Sequence, residues 1–189
     1  MSLNTMTETI SSESDSEFDS LKTEENFDYR IIEIINEILL VIIETNINDK
    51  NYNNIIKKQK NIIFNQNNNI PKISIKEYLI RIKNYSELED NTLIIGLIYI
   101  DRLCEISNIQ LTMFNIHRIL FTAILLAIKY NEDNIYNLDF YAKIAGVTKK
   151  ELKKLEYFFL DYVDFNLYID INIFNQYKKY VNNFKLKNL

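Results

Sequence analysis

The chain has 189 residues and a formal charge of −4, with 22 Lys and Arg against 26 Asp and Glu. It contains two glycines (Gly96, Gly146), one proline (Pro71), one histidine (His117) and one cysteine (Cys104). β-Hairpins and sandwiches use glycine and proline at their turns, so this composition excludes an all-β fold and predicts an all-α one. Glycines 50 positions apart make no phosphate loop or dinucleotide fingerprint, and the single His and Cys supply no usual zinc site or internal disulfide. No cofactor, metal or catalytic set is expected. A lone thiol without a recognisable leader points to a reducing intracellular compartment, nucleus or cytoplasm.

Charge is uneven along the chain. Residues 1–28 carry a net −7, and the remainder a net +3. The first 27 residues are rich in Ser, Thr, Glu and Asp, with too little apolar surface to offset ordering, which predicts a disordered acidic tail. Ser12, Ser14 and Ser16 each have an acidic residue three positions on, a spacing that suits an acidophilic protein kinase. The mild +3 of the remainder predicts no nucleic-acid surface.

Residues 28–45 change character. Ile31, Ile34, Ile35, Ile38, Leu39 and Ile42 recur at helical spacing, and Glu33, Glu37 and Glu44 interrupt the run. That pattern predicts a helix that packs on protein and does not span a membrane. Residues 46–70 are Asn-rich and suggest a surface loop or insertion, with room for a short helix at Ile55–Ile56 or Ile62–Ile63.

Helix signals then follow in order. Ser74/Glu77, Ser86/Glu89 and Thr148/Glu151 have the spacing of capping boxes; Thr112 and Asn137 suit N-caps, and Gly146 a left-handed C-cap. The expected helices lie at about 75–84, 87–106, 113–131, 137–145 and 149–164, with a further segment near 171–183. The third carries Ile116, Ile119, Leu120, Phe121 and residues Ala123 to Ile128, apolar on every side, so neighbours must surround it. Gly96 inside the second implies close helix–helix approach.

Ionisable groups on apolar stretches stand out. Asp101 should have a cationic partner if buried; Arg81 is the first candidate and Arg102 its rival. Lys129 and Glu156, taken alone, suit solvated edge charges. His117 suits a structural histidine and Cys104 a small core side chain.

At these same residues the chain resembles the cyclins. The carriers are Tyr78-Leu79-Ile80-Arg81-Ile82, Tyr99-Ile100-Asp101-Arg102-Leu103, Ala127-Ile128-Lys129-Tyr130, Leu155-Glu156-Tyr157-Phe158-Phe159-Leu160 and Asp164-Phe165-Asn166-Leu167. More narrowly, Asn115-Ile116-His117-Arg118-Ile119-Leu120 and the Tyr136 to Gly146 stretch resemble the P-type, or U-type, cyclins. Ala145 stands where those have a glycine, and Leu138 where they have a second asparagine. The resemblance implies a single five-helix cyclin box with a flanking helix on each side, residues 71–184 holding the box and the C-terminal helix.

It also implies a regulatory subunit that activates a cyclin-dependent protein kinase by docking on the kinase αC helix. Lys129 and Glu156 would hydrogen-bond the kinase, and Leu126, Tyr130, Phe165 and Leu167 would supply the apolar contact. Arg81 and Asp101 would form an internal ion pair. Two other readings share the fold: a helical scaffold for a non-kinase partner, and a transcription adaptor of the TFIIB type.

Overall fold

A computed structural model describes residues 29–65 and 69–184. The acidic stretch and its three serines lie outside the described residues. Eight helices and no strand occur among those described: α1 (Arg30–Ile47), α2 (Tyr52–Gln59), α3 (Ile75–Ser86), α4 (Asp90–Ser107), α5 (Ile116–Asn131), α6 (Leu138–Ala145), α7 (Lys149–Tyr162) and α8 (Ile171–Asn183).

Helix α5 is the axis. Every residue from Ile119 to Ile128 is buried, and α3, α4, α6 and α7 pack around it. Burial on all sides follows from the apolar residues that circle the cylinder. Gly96 lets α4 approach: a Cβ there would meet Ile124 Cγ1 at 3.1 Å. Outside this five-helix box, α1 buries Ile31, Ile32, Ile34, Ile35, Ile38, Leu39 and Ile43 against α3 and α8.

Local signals set several helix ends. Ser74 Oγ accepts from the Glu77 amide at 3.1 Å while Glu77 accepts from the Ser74 amide at 2.9 Å, a complete capping box. The Ser74 amide, and then the Ser74 hydroxyl donating to the same carboxylate at 2.8 Å, hold the Glu77 carboxyl below its ordinary pKa. Asn137 caps α6 by accepting from the Phe140 amide at 3.0 Å, and Gly146 closes it at φ +70°. Thr148 caps α7 through the Glu151 amide at 3.2 Å, but the Glu151 carboxylate turns away to Arg118.

Two expected caps are corrected. Helix α3 continues through Ser86 and ends with Glu87 left-handed at φ +50°; α4 then starts at Asp90 after the extended Glu89. Buried Leu88 takes the linker inward, so Ser86 does not begin a helix. Thr112 likewise caps nothing: its own amide donates to Asn115 Oδ1 at 2.8 Å, and a turn precedes the helix at Ile116.

The Asn-rich segment is more than a surface loop. It contains α2, and Phe64 beyond it is wholly buried, edge-on to Phe159 of α7 at 6.0 Å between ring centres. Arg118 of α5 fastens this stretch, donating to Ile63 O at 3.2 Å and Asn65 O at 2.9 Å while pairing with Glu151.

His117 fastens the chain ahead of α3. Its Nε2 meets Ile73 O at 2.9 Å, and a carbonyl only accepts, so Nε2 carries the proton. Nδ1 is buried with no partner among the described residues. Burial therefore holds the imidazole pKa below its ordinary value, against the opposing pull of the Ile73 bond. The unfolded chain takes up this proton first, so stability should fall as pH drops below about 6.5, the unfolded value. Urea unfolding at pH 7.5, 6.5 and 5.5 should show a shallower loss for His117→Gln than for the native chain. Equal slopes would contradict the assignment.

Candidate functional site

The last turn of α5 brings Lys129 out of the core, and α7 crosses beside it with Glu156. The two side chains form an ion pair. Lys129 is one-third exposed and Glu156 about one-sixth, so the pair lies at the surface with donors and acceptors still accessible. Its position at the C-terminal end of α5 also suits a cation, because the terminal carbonyls are partly negative.

Tyr130 stands next to the pair, 55% exposed, and Tyr157 follows Glu156 at 56%. A third aromatic comes from the chain that leaves α7. There Asp164 and Phe165 both take left-handed backbone, at φ +51° and +55°, and the Phe165 amide donates to Leu160 O at 2.8 Å. This conformation is uncommon for a bulky residue and costs energy. Its result is that the Phe165 ring, 61% exposed, points to solvent.

Helix α4 holds that segment in place. The Tyr99 hydroxyl donates to Leu167 O at 2.9 Å and lies beside the side chain of Asn131 at the end of α5. Burial pushes the Tyr99 phenol up to about 12, so it stays a donor. Arg102 donates to the carbonyls of Asn166 and Tyr168. Three backbone carbonyls between 166 and 168 are thus held by one helix. Sequence reasoning treated Arg102 only as a rival partner for Asp101. The available signal was the spacing of Tyr99 and Arg102, three apart on one face.

The structure brings Lys129, Glu156 and Tyr130 together, but it redistributes the other expected contacts. Leu126, three positions before Lys129 on α5, is buried and does not reach the surface. Leu167 is half-buried against the core, which leaves Phe165 and Tyr130 as the outward apolar groups.

Arg81 and Asp101 do not form the expected pair. Arg81 points toward α6, where its Nη2 donates to Lys143 O at 3.0 Å, near the orphan carbonyls of that helix end. Asp101 faces α8 on the other side of the box, is exposed, and accepts from the Tyr177 hydroxyl. Burial, then Asp101 itself, raises the Tyr177 phenol, which remains protonated and donating. The loss expected for a buried half-pair is therefore replaced by a smaller one. Asp101→Ala should cost about 1 kcal/mol in urea unfolding, the worth of an ordinary hydrogen bond. A loss above about 3 kcal/mol would restore the buried pair.

No group of three or more His, Cys, Asp or Glu residues able to hold a metal occurs among the described residues. Burial and the nearby Asp101 push the Cys104 thiol up to about 12, so it is not an activated nucleophile. A cavity of about 440 Å³ lies away from the Lys129–Glu156 pair, between α1, α4 and α8, lined by Ile38, Leu97, Ile100, Tyr177 and Tyr180 among others. Among the described residues, no helix is long and apolar enough to cross a membrane.

One buried central helix, wrapped by four others and flanked by α1 and α8, is the architecture of a cyclin box. The cyclin family model matches residues 3–167, and the chain belongs to the cyclin family. Similar proteins include Cyclin-U2-2 of Arabidopsis thaliana, 35% identical over 109 residues, which are 57% of this chain and 47% of that protein. Cyclin-P3-1 of Oryza sativa subsp. japonica is 35% identical over 107 residues, 57% of this chain and 45% of its own. Cyclin-U4-1 of Arabidopsis thaliana is 35% identical over 112 residues, 59% and 55% of the two chains. The chain spans about half the length of the curated relatives it matches. Its likeness is thus to U-type and P-type cyclins.

Proposed function

We propose that this chain is the regulatory subunit of a cyclin-dependent protein kinase, and that it docks on the kinase αC helix through the face around Lys129 and Glu156. The observation that carries the reading is the ion pair itself: two charges, one-third and one-sixth exposed, held together between α5 and α7 next to outward-facing Tyr130, with Phe165 exposed where the chain leaves α7. A polar pair next to aromatic anchors is the usual make-up of a binding hot spot. Lys129 has donors beyond the one given to Glu156, and Glu156 has acceptors beyond the one given to Lys129. Both remain available to a partner.

The chemistry asked of this chain is small. A protein kinase needs its αC glutamate paired with a strand lysine and its activation loop placed before phosphoryl transfer is efficient. A rigid partner that binds that arrangement more tightly than the inactive one shifts the population by its differential affinity. Tyr99 and Arg102 serve rigidity here, because they hold the segment that carries Phe165 before any partner arrives. Pre-organisation of this kind lowers the ordering cost of binding.

Purification of the tagged full chain from native extract tests the proposal. A cyclin-dependent kinase with activity dependent on the chain should co-purify. Recovery of only non-kinase partners, unaffected by changes at Lys129 and Glu156, would overturn it in favour of a scaffold.

A further inference from the structure

The solvent face of α7 is strongly basic. Lys150, Lys153, Lys154 and Tyr157 fall at i, i+3, i+4 and i+7, and all four are exposed. The acids that could neutralise them are committed elsewhere: Glu151 pairs with Arg118, and Glu156 with Lys129. Lys149 is matched by Asp139 at 2.6 Å. Lys150, Lys153 and Lys154 have no ion pair or hydrogen bond among the described residues. Asp161, exposed one turn beyond Tyr157, is the acid that shares their side of the helix.

We propose that this lysine face is the docking surface for the chain's own acidic stretch, residues 8–28. Three observations converge on that occupant. Residues 1–28 carry a net −7 while the rest carries +3, so the complement to the lysines is present in every copy. Reach is ample: about 3.3 Å per extended residue lets the ten steps from Asp19 to Tyr29 span roughly 33 Å, comparable with the width of a domain this size. Tethering also raises the local concentration of the acidic stretch to about the millimolar range, so weak ionic contacts suffice.

The competing basic surface is on and after α2, at Lys57, Lys58 and Lys60. There Asp49 lines the same hollow as Lys57 and Lys58, whereas on α7 Asp161 stands two turns beyond Lys154. The lysine triad of α7 is the less neutralised of the two. This docking does not depend on the kinase reading, because it requires nothing of Lys129 and Glu156 beyond their pairing.

Zero-length carbodiimide cross-linking of the full chain tests the proposal, using an equal mixture of ¹⁴N- and ¹⁵N-labelled protein at low micromolar concentration. The reagent joins a carboxylate to an ammonium group with net loss of the water it takes up. Same-isotope links from Glu13, Asp15, Glu17, Asp19, Glu24 or Glu25 to Lys150, Lys153 or Lys154 are expected. They should fall by about fivefold when salt is raised to about 0.5 M, where screening is nearly complete beyond contact. Links mainly to Lys57, Lys58 or Lys60, mixed-isotope links to a second copy, or none from the acidic stretch to α7 would each overturn it.

The full-length variant K150E/K153E/K154E gives a second readout, since these exposed positions tolerate change without unfolding. Amide resonances of residues 13–25 should differ between native chain and variant at low salt and coincide at high salt. Identical low-salt spectra would overturn the proposal. If anionic phosphatidylserine vesicles then shifted Lys150 to Lys154 in the native chain alone, the face would belong to an external anion.

Discussion

Exchanging the two charges, Lys129→Glu together with Glu156→Lys, should leave the chain folded and weaken kinase binding by roughly thirtyfold or more. The pair bridges α5 and α7, so the exchanged side chains can still meet and melting should stay within about 1 kcal/mol of the native chain, the scale of a surface pair. A partner sees something different: a donor where it needs an acceptor, and an acceptor where it needs a donor. Reversed charges at a contact that becomes desolvated cost about 2–5 kcal/mol, a loss of roughly thirtyfold or more in affinity. Glu156→Lys alone should be worse on both counts, because it places two ammonium groups together. The ordering of the three proteins in a binding titration and a thermal melt separates the roles. If the exchanged variant binds like the native chain, these are edge charges and the site lies elsewhere.

Phe64→Ala should cost about 3–5 kcal/mol, more than any change expected at the site itself. The ring is wholly buried, edge-on to Phe159 and 6.2 Å from Tyr162, so its removal leaves a cavity against α7. A residue in a surface loop would cost about 0.5 kcal/mol or less. Urea unfolding distinguishes the two directly. A small effect would mean that the Asn-rich segment is decoration. The large effect would make it part of the box, held by Phe64 from within and by Arg118 from the side.

These two cases show what periodicity carries and what it does not. Helix α5 was legible because its apolar residues circle the whole cylinder, and Ser74, Asn137 and Gly146 because capping is decided within four residues. Gly96 was legible because its cost inside a helix demands a close neighbour. Phe64 was not: a single ring in a run of asparagines has no period, and only the tertiary fold shows what it fills. Leu126 failed for the opposite reason, since a helix apolar all round gives no direction for where its surface begins.

Arg81 and Asp101 required a further kind of information. Each lies on its own helix at a spacing that permits pairing, yet α3 turns Arg81 toward α6 while α4 turns Asp101 toward α8. That rotation is set by packing around α5 and leaves no trace in either helix alone. Ser86 makes a similar point at a helix end, where the burial of Leu88 outweighs a favourable capping spacing. Lys129 and Glu156 stand out in the sequence as charges on apolar stretches, and the resemblance to cyclins implies a kinase contact for them. Their mutual bond is what the structure adds.

Hydrogen exchange of the full chain, alone and saturated with a cyclin-dependent kinase catalytic subunit, tests the docking face most directly. Amides near Lys129 and Tyr130, near Glu156 and Tyr157, and from Asp164 to Tyr168 should gain protection together on binding, while α1 and the cavity between α1, α4 and α8 stay unchanged. Protection confined to that cavity, or none at the Lys129–Glu156 face despite full binding, would contradict the account.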